Sequence, residues 1–466
     1  DQLVNLYNQG QLKSAFTQAQ DLSHKYSNEF IVFNILGASA IQIGKLDEAI
    51  EAYKKCISFK PNYVDAYLNL GVAYKNQGKF DEAIEVYKTC ILLKPNYAAA
   101  YENLGIAFKN KGDLDKAVEA YKKAILLKPD HANVYYNMGN VLSDQLKFKE
   151  AIEYYRKSIS LKPNYVQAYH SMGNALKDKG ELDEAINAYK NALLLKPDNH
   201  EIYNNLGITF HKMGKLEEAE ANLKQTILLN PEFAEAHQNF SFTLLNNGKL
   251  KEGLVENEWR WKTKKFCTLK RQFSQSVWDG IQSLMSKRIL LWCEQGIGDT
   301  LNFSSILPLV SSKAEHCILE CPEKLVPLLK RSFPKIEVTP EDRSLDAQRN
   351  DFDFHLPMGS LYKHFLNEIL QNPKLDAYLI PDPVRVNFWK ERLRSIGKGP
   401  YIGICWKSSV VSAYRLQHYP PISDWYPILT IPDVTFINLQ YTDFADDLAK
   451  VKDELGVTVH NFEDLD

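Results

Sequence analysis

The chain has 466 residues, of which 45% are hydrophobic and 24% charged, ordinary usage for globular proteins that excludes disordered and collagen-like chains. Its formal net charge of −2 argues against a general nucleic-acid binder, and no apolar run approaches the roughly 20 residues of a membrane span. Seven scattered cysteines are typical of a reducing compartment and predict a cytoplasmic location. Because the first residue is Asp1 rather than Met, a preceding targeting segment stays an open alternative.

A 34-residue period dominates the first half of the chain. Proline, glycine and alanine each recur in register through six copies between residues 30 and 233. The glycines of this register are Gly37, Gly71, Gly105, Gly139, Gly173 and Gly207. In each copy, apolar residues at helical spacing lie on both sides of a turn, which predicts two helices. One such pair cannot bury its apolar faces alone, so the period predicts a stacked α-solenoid.

This pattern resembles the tetratricopeptide repeat over residues 1–255. A partial copy with Gly10 and Ala15 precedes the six full copies, and a degenerate copy comes after them. The last copy has Ser241 and Gly253 where the pattern has Gly and Ala. The resemblance implies a superhelix whose concave wall is formed by the first helix of each repeat, with a protein or peptide partner in that groove.

Asparagine recurs two residues before the repeat glycine. The members of this Asn column are Asn69, Asn103, Asn137, Asn205 and Asn239. Asparagine is a weak helix former, and its amide both donates and accepts hydrogen bonds, so the column is predicted to bind the backbone of an extended peptide. The alternative is that the amides bond between neighbouring helices and only stiffen the stack. A resemblance to the repeat half of O-linked N-acetylglucosamine transferases favours binding.

The period ends near residue 255, and residues 256–286 form a basic connector containing Trp259 and Trp261. We expect the two tryptophans to pack the array against the C-terminal half of the chain; the alternative is a patch for an anionic partner.

Strand-like and helix-like segments alternate from residue 287 onward, which predicts a doubly wound α/β fold with a mostly parallel sheet. The predicted strands are 288–293, 316–320, 336–339, 352–356, 401–406, 434–439 and 457–460. The glycine turn after the first strand has Leu301 in place of the third glycine of a dinucleotide site. Neither a phosphate-binding P-loop nor a metal-binding motif occurs, so the sequence predicts no metal and no cofactor.

The segment Glu294–Thr300, together with Leu307-Pro308-Leu309, resembles the opening of GT-B glycosyltransferase-like domains. These occur in bacterial tetratricopeptide glycosyltransferases and in the heptosyltransferases of glycosyltransferase family nine. The resemblance implies a first Rossmann-like lobe at 287–398 and the start of a second at 399–466. It also implies inverting sugar transfer from a nucleotide-sugar substrate, with a protein as the possible acceptor.

The second resemblance also implies roles for single residues. Asp299 matches the general base, although it also suits capping of a helix that starts at Thr300. The donor would contact Gly296, Gly298, Lys407, Ser408 and Arg415, whose charged members are alternatively solvated loop charges. Residues 399–466 are too few for a complete second lobe, so a truncated, inactive chain is predicted. The rival hypothesis is a non-enzymatic scaffold with a vestigial α/β domain.

Overall fold

The computed structural model describes residues 2–371, 377–406, 419–440 and 444–462. The chain divides into two compact units, Asp1–Leu269 and Lys270–Asp466. This division lies inside the predicted connector 256–286.

The first unit is built of consecutive helices that pack as pairs. The helices are α1 (Gln2–Asn8), α2 (Leu12–Lys25), α3 (Phe30–Gln42), α4 (Leu46–Phe59), α5 (Val64–Asn76), α6 (Phe80–Leu93), α7 (Ala98–Lys111), α8 (Leu114–Leu127), α9 (Ala132–Asp144), α10 (Phe148–Leu161), α11 (Val166–Lys179), α12 (Leu182–Leu195), α13 (His200–Lys212), α14 (Leu216–Leu229), α15 (Ala234–Asn246) and α16 (Leu250–Glu256). The predicted solenoid of helix pairs is therefore confirmed for this unit.

The repeat glycines lie where the two helices of a pair come closest. A Cβ atom built on Gly105 would lie 2.6 Å from Cε1 of Tyr121, whose ring is fully buried. The same contact joins Gly139 to Tyr155 in the next repeat. A side chain would collide with this ring, which explains why a residue that disfavours helices is kept in mid-helix.

The turns between the paired helices need a left-handed residue. Glycine supplies it in most repeats, for example at Gly78 (φ 77°) and Gly112 (φ 94°). In the α9–α10 turn the residue is Leu146, at φ 62° and 51% exposed. A leucine in this conformation is strained, because its Cβ crowds the backbone.

The degenerate last copy closes the helix stack. Ser241 Oγ donates a 2.7 Å hydrogen bond to the carbonyl of Gly253. The two residues that replace the usual glycine and alanine of the repeat are therefore in contact with each other. A 3₁₀ turn, Asn257–Lys262, comes directly after α16. Its Trp259 ring stacks on His237 at 3.7 Å between centroids, and Arg260 is buried. This part of the predicted connector therefore belongs to the array.

Over its described residues, the second unit holds two parallel sheets. The strands are β1 (Ser276–Val277), β2 (Arg288–Trp292), β3 (His316–Cys321), β4 (Glu337–Pro340), β5 (Phe354–Pro357), β6 (Tyr401–Ile404), β7 (Thr435–Asn438) and β8 (Val459–His460). The orders are β1-β5-β2-β3-β4 and β6-β7-β8. Seven predicted strands have counterparts, whereas β1 has no predicted counterpart. The interpretation of residues 276–277 as connector is wrong, because they pair with β5.

Helices connect the strands of both sheets. They are α17 (Ile297–Ser304), α18 (Leu307–Lys313), α19 (Val326–Ser332), α20 (Leu361–Gln371), α21 (Pro383–Ile396), α22 (Tyr426–Leu429) and α23 (Ala445–Leu455). Each sheet has its own apolar core, centred on Leu291 and Leu319 in the larger sheet and on Phe436 in the smaller. The loops at the carboxyl ends of the strands are where open parallel sheets bind ligands.

Candidate protein-binding surface and sheet-edge site

The five members of the Asn column lie on the first helix of their repeats. They occupy α5, α7, α9, α13 and α15, and all are half-buried. Each amide is therefore held by the helix stack while part of it stays accessible to solvent. This arrangement suits both interpretations of the column, so the hydrogen bonds of each member decide between them.

Four members of the column bond to neighbouring helices, and two of them, Asn205 and Asn239, do so through their NH₂ groups. Asn205 Nδ2 lies 2.8 Å from His170 Nε2 and donates to Asn174 Oδ1 at 3.1 Å. Burial lowers the pKa of His170, which favours the neutral ring whose Nε2 accepts this bond. Asn239 Nδ2 donates to Asn204 Oδ1 at 3.0 Å. Each of these amides uses its NH₂ group within the stack.

The other members differ from one another. Asn103 Oδ1 accepts a 3.2 Å hydrogen bond from Lys75 Nζ, and its Nδ2 donates to Ala99 O within α7. Asn69 is hydrogen-bonded to Tyr53. The side chain of Asn137 makes no hydrogen bond to any residue that the structure describes. Asn137 is therefore the member whose amide is most available to a ligand.

A small polar cavity of about 150 Å³ lies beside this column in the middle of the array. Its lining includes Lys109 and Asp144, whose Nζ and Oδ2 atoms are 3.5 Å apart. Asn140 Oδ1, in the same lining, accepts a 2.8 Å hydrogen bond from the Tyr155 hydroxyl. The cavity combines donors, acceptors and both signs of charge, as a site for polar groups requires.

Ionisable groups on this side of the array are partly desolvated. Burial raises the pKa of Glu102 and lowers that of Lys75. His131 Nδ1 lies 3.4 Å from the Glu102 carboxylate. Charged groups with reduced hydration interact more strongly with a partner than exposed ones, so this wall is suited to polar recognition.

In the second unit, the predicted base lies at the carboxyl edge of the larger sheet. β2 leads through Gly296 into α17, and Gly296, Gly298 and Asp299 are all exposed. The expectation that Asp299 caps a helix starting at Thr300 is wrong. The helix begins at Ile297, so Asp299 lies inside its first turn, where a carboxylate is favoured by the helix dipole.

Glu294 joins two loops at this edge. Its Oε1 accepts a 3.0 Å hydrogen bond from the backbone N–H of Gly359, and the carboxylate is buried. A Cβ on Gly359 would collide with that oxygen. Glu294 thereby fixes the loop after β2 against the loop after β5. The motif contains this residue, but nothing in the sequence indicates its contact 65 positions away.

A buried ionic cluster lies near the same sheet, and no feature of the sequence predicts it. Arg271 bonds to both oxygens of Asp346, with Nε at 3.0 and 2.9 Å, and also contacts Glu320. Arg349 contacts Glu320 from another loop. Burial, and then the charge of Arg271, lowers the pKa of His355 to about 4. These groups satisfy one another and anchor loops to the sheet.

Lys407, Ser408 and Arg415 lie outside the described residues, so their proposed contacts with a donor stay predictions. Within the described ranges, no three His, Cys, Asp or Glu side chains are grouped to hold a metal ion. The helices in those ranges include none with the length and apolar character to span a membrane.

The comparisons with known proteins place the N-terminal unit in a class. A model described as TPR repeat matches residues 39–78, 107–145 and 173–214. Two models described as tetratricopeptide repeat match residues 64–97, 132–165 and 200–233, and residues 154–187. The unit is therefore an array of tetratricopeptide repeats. Proteins with this repeat bind peptides or other proteins.

Individual relatives match part of the chain. Protein FlbA of Caulobacter vibrioides is 36% identical over 203 residues, which cover 41% of this chain and 34% of FlbA. The chain thus spans about a third of the length of this curated relative. The crystal structure of MamA is 37% identical and covers 35% of this chain and 95% of MamA, with a TM-score of 0.33. YrrB, described as a TPR protein with an unusual peptide-binding site, is 23% identical at a TM-score of 0.36, covering 43% of this chain and 100% of YrrB.

Proposed function

We propose that the array binds an extended segment of a partner protein along the Asn column and that the chain acts as a scaffold for protein assembly. The observation that carries this proposal is the half-buried amide of Asn137, which makes no hydrogen bond to the described residues. The amide reaches solvent, so its donors and acceptor are open to water or to a ligand. The polar cavity lined by Asn140, one helical turn after Asn137, supports the same function.

The amides can recognise backbone rather than sequence. An asparagine offers one acceptor and two donors to the C=O and N–H groups of an extended chain. Asn205 and Asn239 use their NH₂ groups inside the stack, which leaves their Oδ1 atoms to accept from a peptide N–H. The column would then hold the partner by its main chain, while neighbouring side chains set its specificity.

The test uses peptides that are selected from a random phage-display library for binding to the whole chain. Asn137→Ala should weaken their binding about tenfold, because one or two hydrogen bonds of about 1 kcal/mol each are lost. The melting temperature should change little, since the array loses no internal bond. Asn191→Ala, which removes an exposed amide from α12, serves as the matched control and should change neither quantity.

Backbone recognition can also be tested by changing the peptide ligand. Replacing single peptide amides by N-methyl amides should abolish binding at positions next to the column, whereas alanine scanning of the same peptide should have small effects there. Unchanged affinity for Asn137→Ala, combined with insensitivity to N-methylation, would show that the column only stiffens the stack.

We also propose a second candidate function, sugar transfer with Asp299 as the general base. It is favoured by the exposure of this carboxylate at the carboxyl edge of a parallel sheet. An inverting transfer needs a carboxylate within hydrogen-bond reach of the acceptor hydroxyl, to take its proton as the anomeric carbon is attacked. The scaffold function has the broader support, because the matched repeats lie in the first unit.

The test measures the nucleoside diphosphate that the protein releases from a panel of nucleotide sugars. Asp299→Asn should lower the rate about 100-fold or more while nucleotide-sugar binding is kept. Glu315→Gln, an exposed carboxylate of the same unit, is the control. Full activity of Asp299→Asn would contradict this assignment.

A further inference from the structure

An apolar groove of about 500 Å³ opens on the third full repeat, between α7 and α8. Tyr101, Leu104 and Phe108 of α7 form its apolar wall, and Ala120 of α8 contributes to the lining. Tyr101 precedes Asn103 by two residues, which places the two roughly 200° apart around the helix. The groove therefore lies on the opposite face of α7 from the Asn column.

A small residue, Ala120, lies beside the groove at a repeat position where the first and fifth full repeats also carry alanine, Ala52 and Ala188. The counterpart of Ala120 in the next repeat is Tyr154, whose ring lies 6.1 Å from that of Tyr135, the counterpart of Tyr101. The next repeat thus covers its aromatic wall with a side chain of its own. In the third repeat the wall stays uncovered, because alanine has no side chain that reaches it.

One charge beside the groove, that of Lys116, departs from the repeat pattern. Lys116, Lys122, Lys123 and one carboxylate, Glu119, line the groove. The other five full repeats carry glutamate at the position of Lys116, namely Glu48, Glu82, Glu150, Glu184 and Glu218. The inversion of charge thus lies in the lining of this groove.

Two of these lysines are available to a partner. Lys116 Nζ lies 3.2 Å from an Asp113 oxygen and 5.7 Å from the Phe108 ring centroid. Lys122 and Lys123 are exposed and make no ion pair with any residue the structure describes. The rim of the groove is therefore basic.

An exposed leucine extends the apolar surface. Leu126 is 73% exposed and lies four residues after Lys122 and three after Lys123, so the three side chains share one face of α8. A fully exposed leucine alone is common on protein surfaces. Leu126 thus adds exposed apolar surface one helical turn beyond the lysines at the rim, and exposed apolar surface of this kind can mark a docking site.

We propose that this groove is a second docking site, separate from the Asn column, for a partner segment that inserts a large apolar side chain flanked by carboxylates. The apolar side chain fills the space that Tyr154 fills in the next repeat. The flanking carboxylates pair with Lys122 and Lys123. An acidic and apolar segment matches both features, whereas a basic segment is repelled by the rim.

The experiment uses the whole chain and a random-peptide phage library, with selection for clones that bind the wild type and not Ala120→Tyr. Tyrosine at this repeat position is accommodated in α10, so the variant should fold and simply close the groove. Selected peptides should carry a large apolar residue between acidic ones. Ala120→Tyr should weaken their binding at least tenfold, and so should the pair Lys122→Glu and Lys123→Glu.

Matched controls separate this site from other effects. The pair Lys157→Glu and Lys190→Glu makes the same change in net charge on other repeats and should leave affinity within twofold. Asn137→Ala should also have no effect on these peptides. Should Ala120→Tyr fail to fold, Ala120→Val, with the residue of the preceding repeat, closes part of the groove and should lower affinity in part. Recovery of no such clones, or of clones without the acidic and apolar pattern, would overturn the proposal.

Discussion

Leu146 occupies a turn position that requires a left-handed backbone conformation. Its counterparts in other repeats are glycines with positive φ, such as Gly112 and Gly180, both at φ 94°. Leucine at φ 62° costs about 1 to 2 kcal/mol relative to a residue without Cβ. The leucine side chain is half exposed and contributes little packing to offset this strain.

We therefore predict that Leu146→Gly raises the free energy of unfolding by about 1 kcal/mol, as measured by urea denaturation of the whole chain. The greater freedom of glycine in the unfolded chain reduces the gain below the full strain energy. Leu146→Ala is the control, because it removes the side chain but keeps Cβ and should bring no such gain. A loss of stability in Leu146→Gly would mean that the leucine contacts are worth more than the strain.

Some residue-scale contacts are predictable from sequence and others are not. The close approach of another helix at Gly71 is predictable, because glycine in mid-helix is unfavourable and still recurs. The hydrogen bond between Ser241 and Gly253 is not, although the exchange of residue types is visible in the last copy. Only the structure shows that the two positions face each other.

At the scale of elements, the repeats are predicted more accurately than the second unit. Each full repeat contains the two predicted helices, for example α5 (Val64–Asn76) and α6 (Phe80–Leu93), because six copies carry the same apolar spacing on both sides of a turn. In the second unit each sequence pattern occurs only once. The helix at Asp299 is predicted to start three residues too late, since the glycine turn that precedes it ends at Gly296.

The missed strand β1 has a different cause. Two exposed residues carry no alternation of apolar and polar side chains. The strand forms because it pairs with a segment of backbone that is distant in sequence: the Trp278 N–H donates a 2.9 Å hydrogen bond to the His355 carbonyl. Edge pairing of this kind depends on the rest of the sheet and leaves no local pattern in the sequence.

At the scale of the whole molecule, the candidate sites separate into those that local repetition predicts and those that long-range packing creates. The Asn column is visible from sequence, because its members recur in register. The ionic cluster of Arg271, Glu320 and Asp346 joins residues 49 and 75 positions apart. No periodicity connects such residues, so only the folded sheet brings them together.

The array should work as an independent unit, and its boundary can be tested. We predict that a fragment of residues 1–269 unfolds cooperatively and binds the library peptides with the affinity of the whole chain. Trp259 and Arg260 lie inside this unit and cover the end of the stack at His237. A fragment of residues 1–255, cut at the boundary predicted from the repeat pattern, lacks both side chains.

The stacked pair of His237 and Trp259 contributes about 0.5 to 1.5 kcal/mol beyond the apolar area that it buries. Near this length, each lost kcal/mol lowers the melting temperature by about 2 to 4 °C. The 1–255 fragment should therefore melt several degrees below the 1–269 fragment in calorimetry. Trp259→Ala in the longer fragment should reproduce most of the difference. Equal melting temperatures would show that the array ends at α16 and that the tryptophan does not close it.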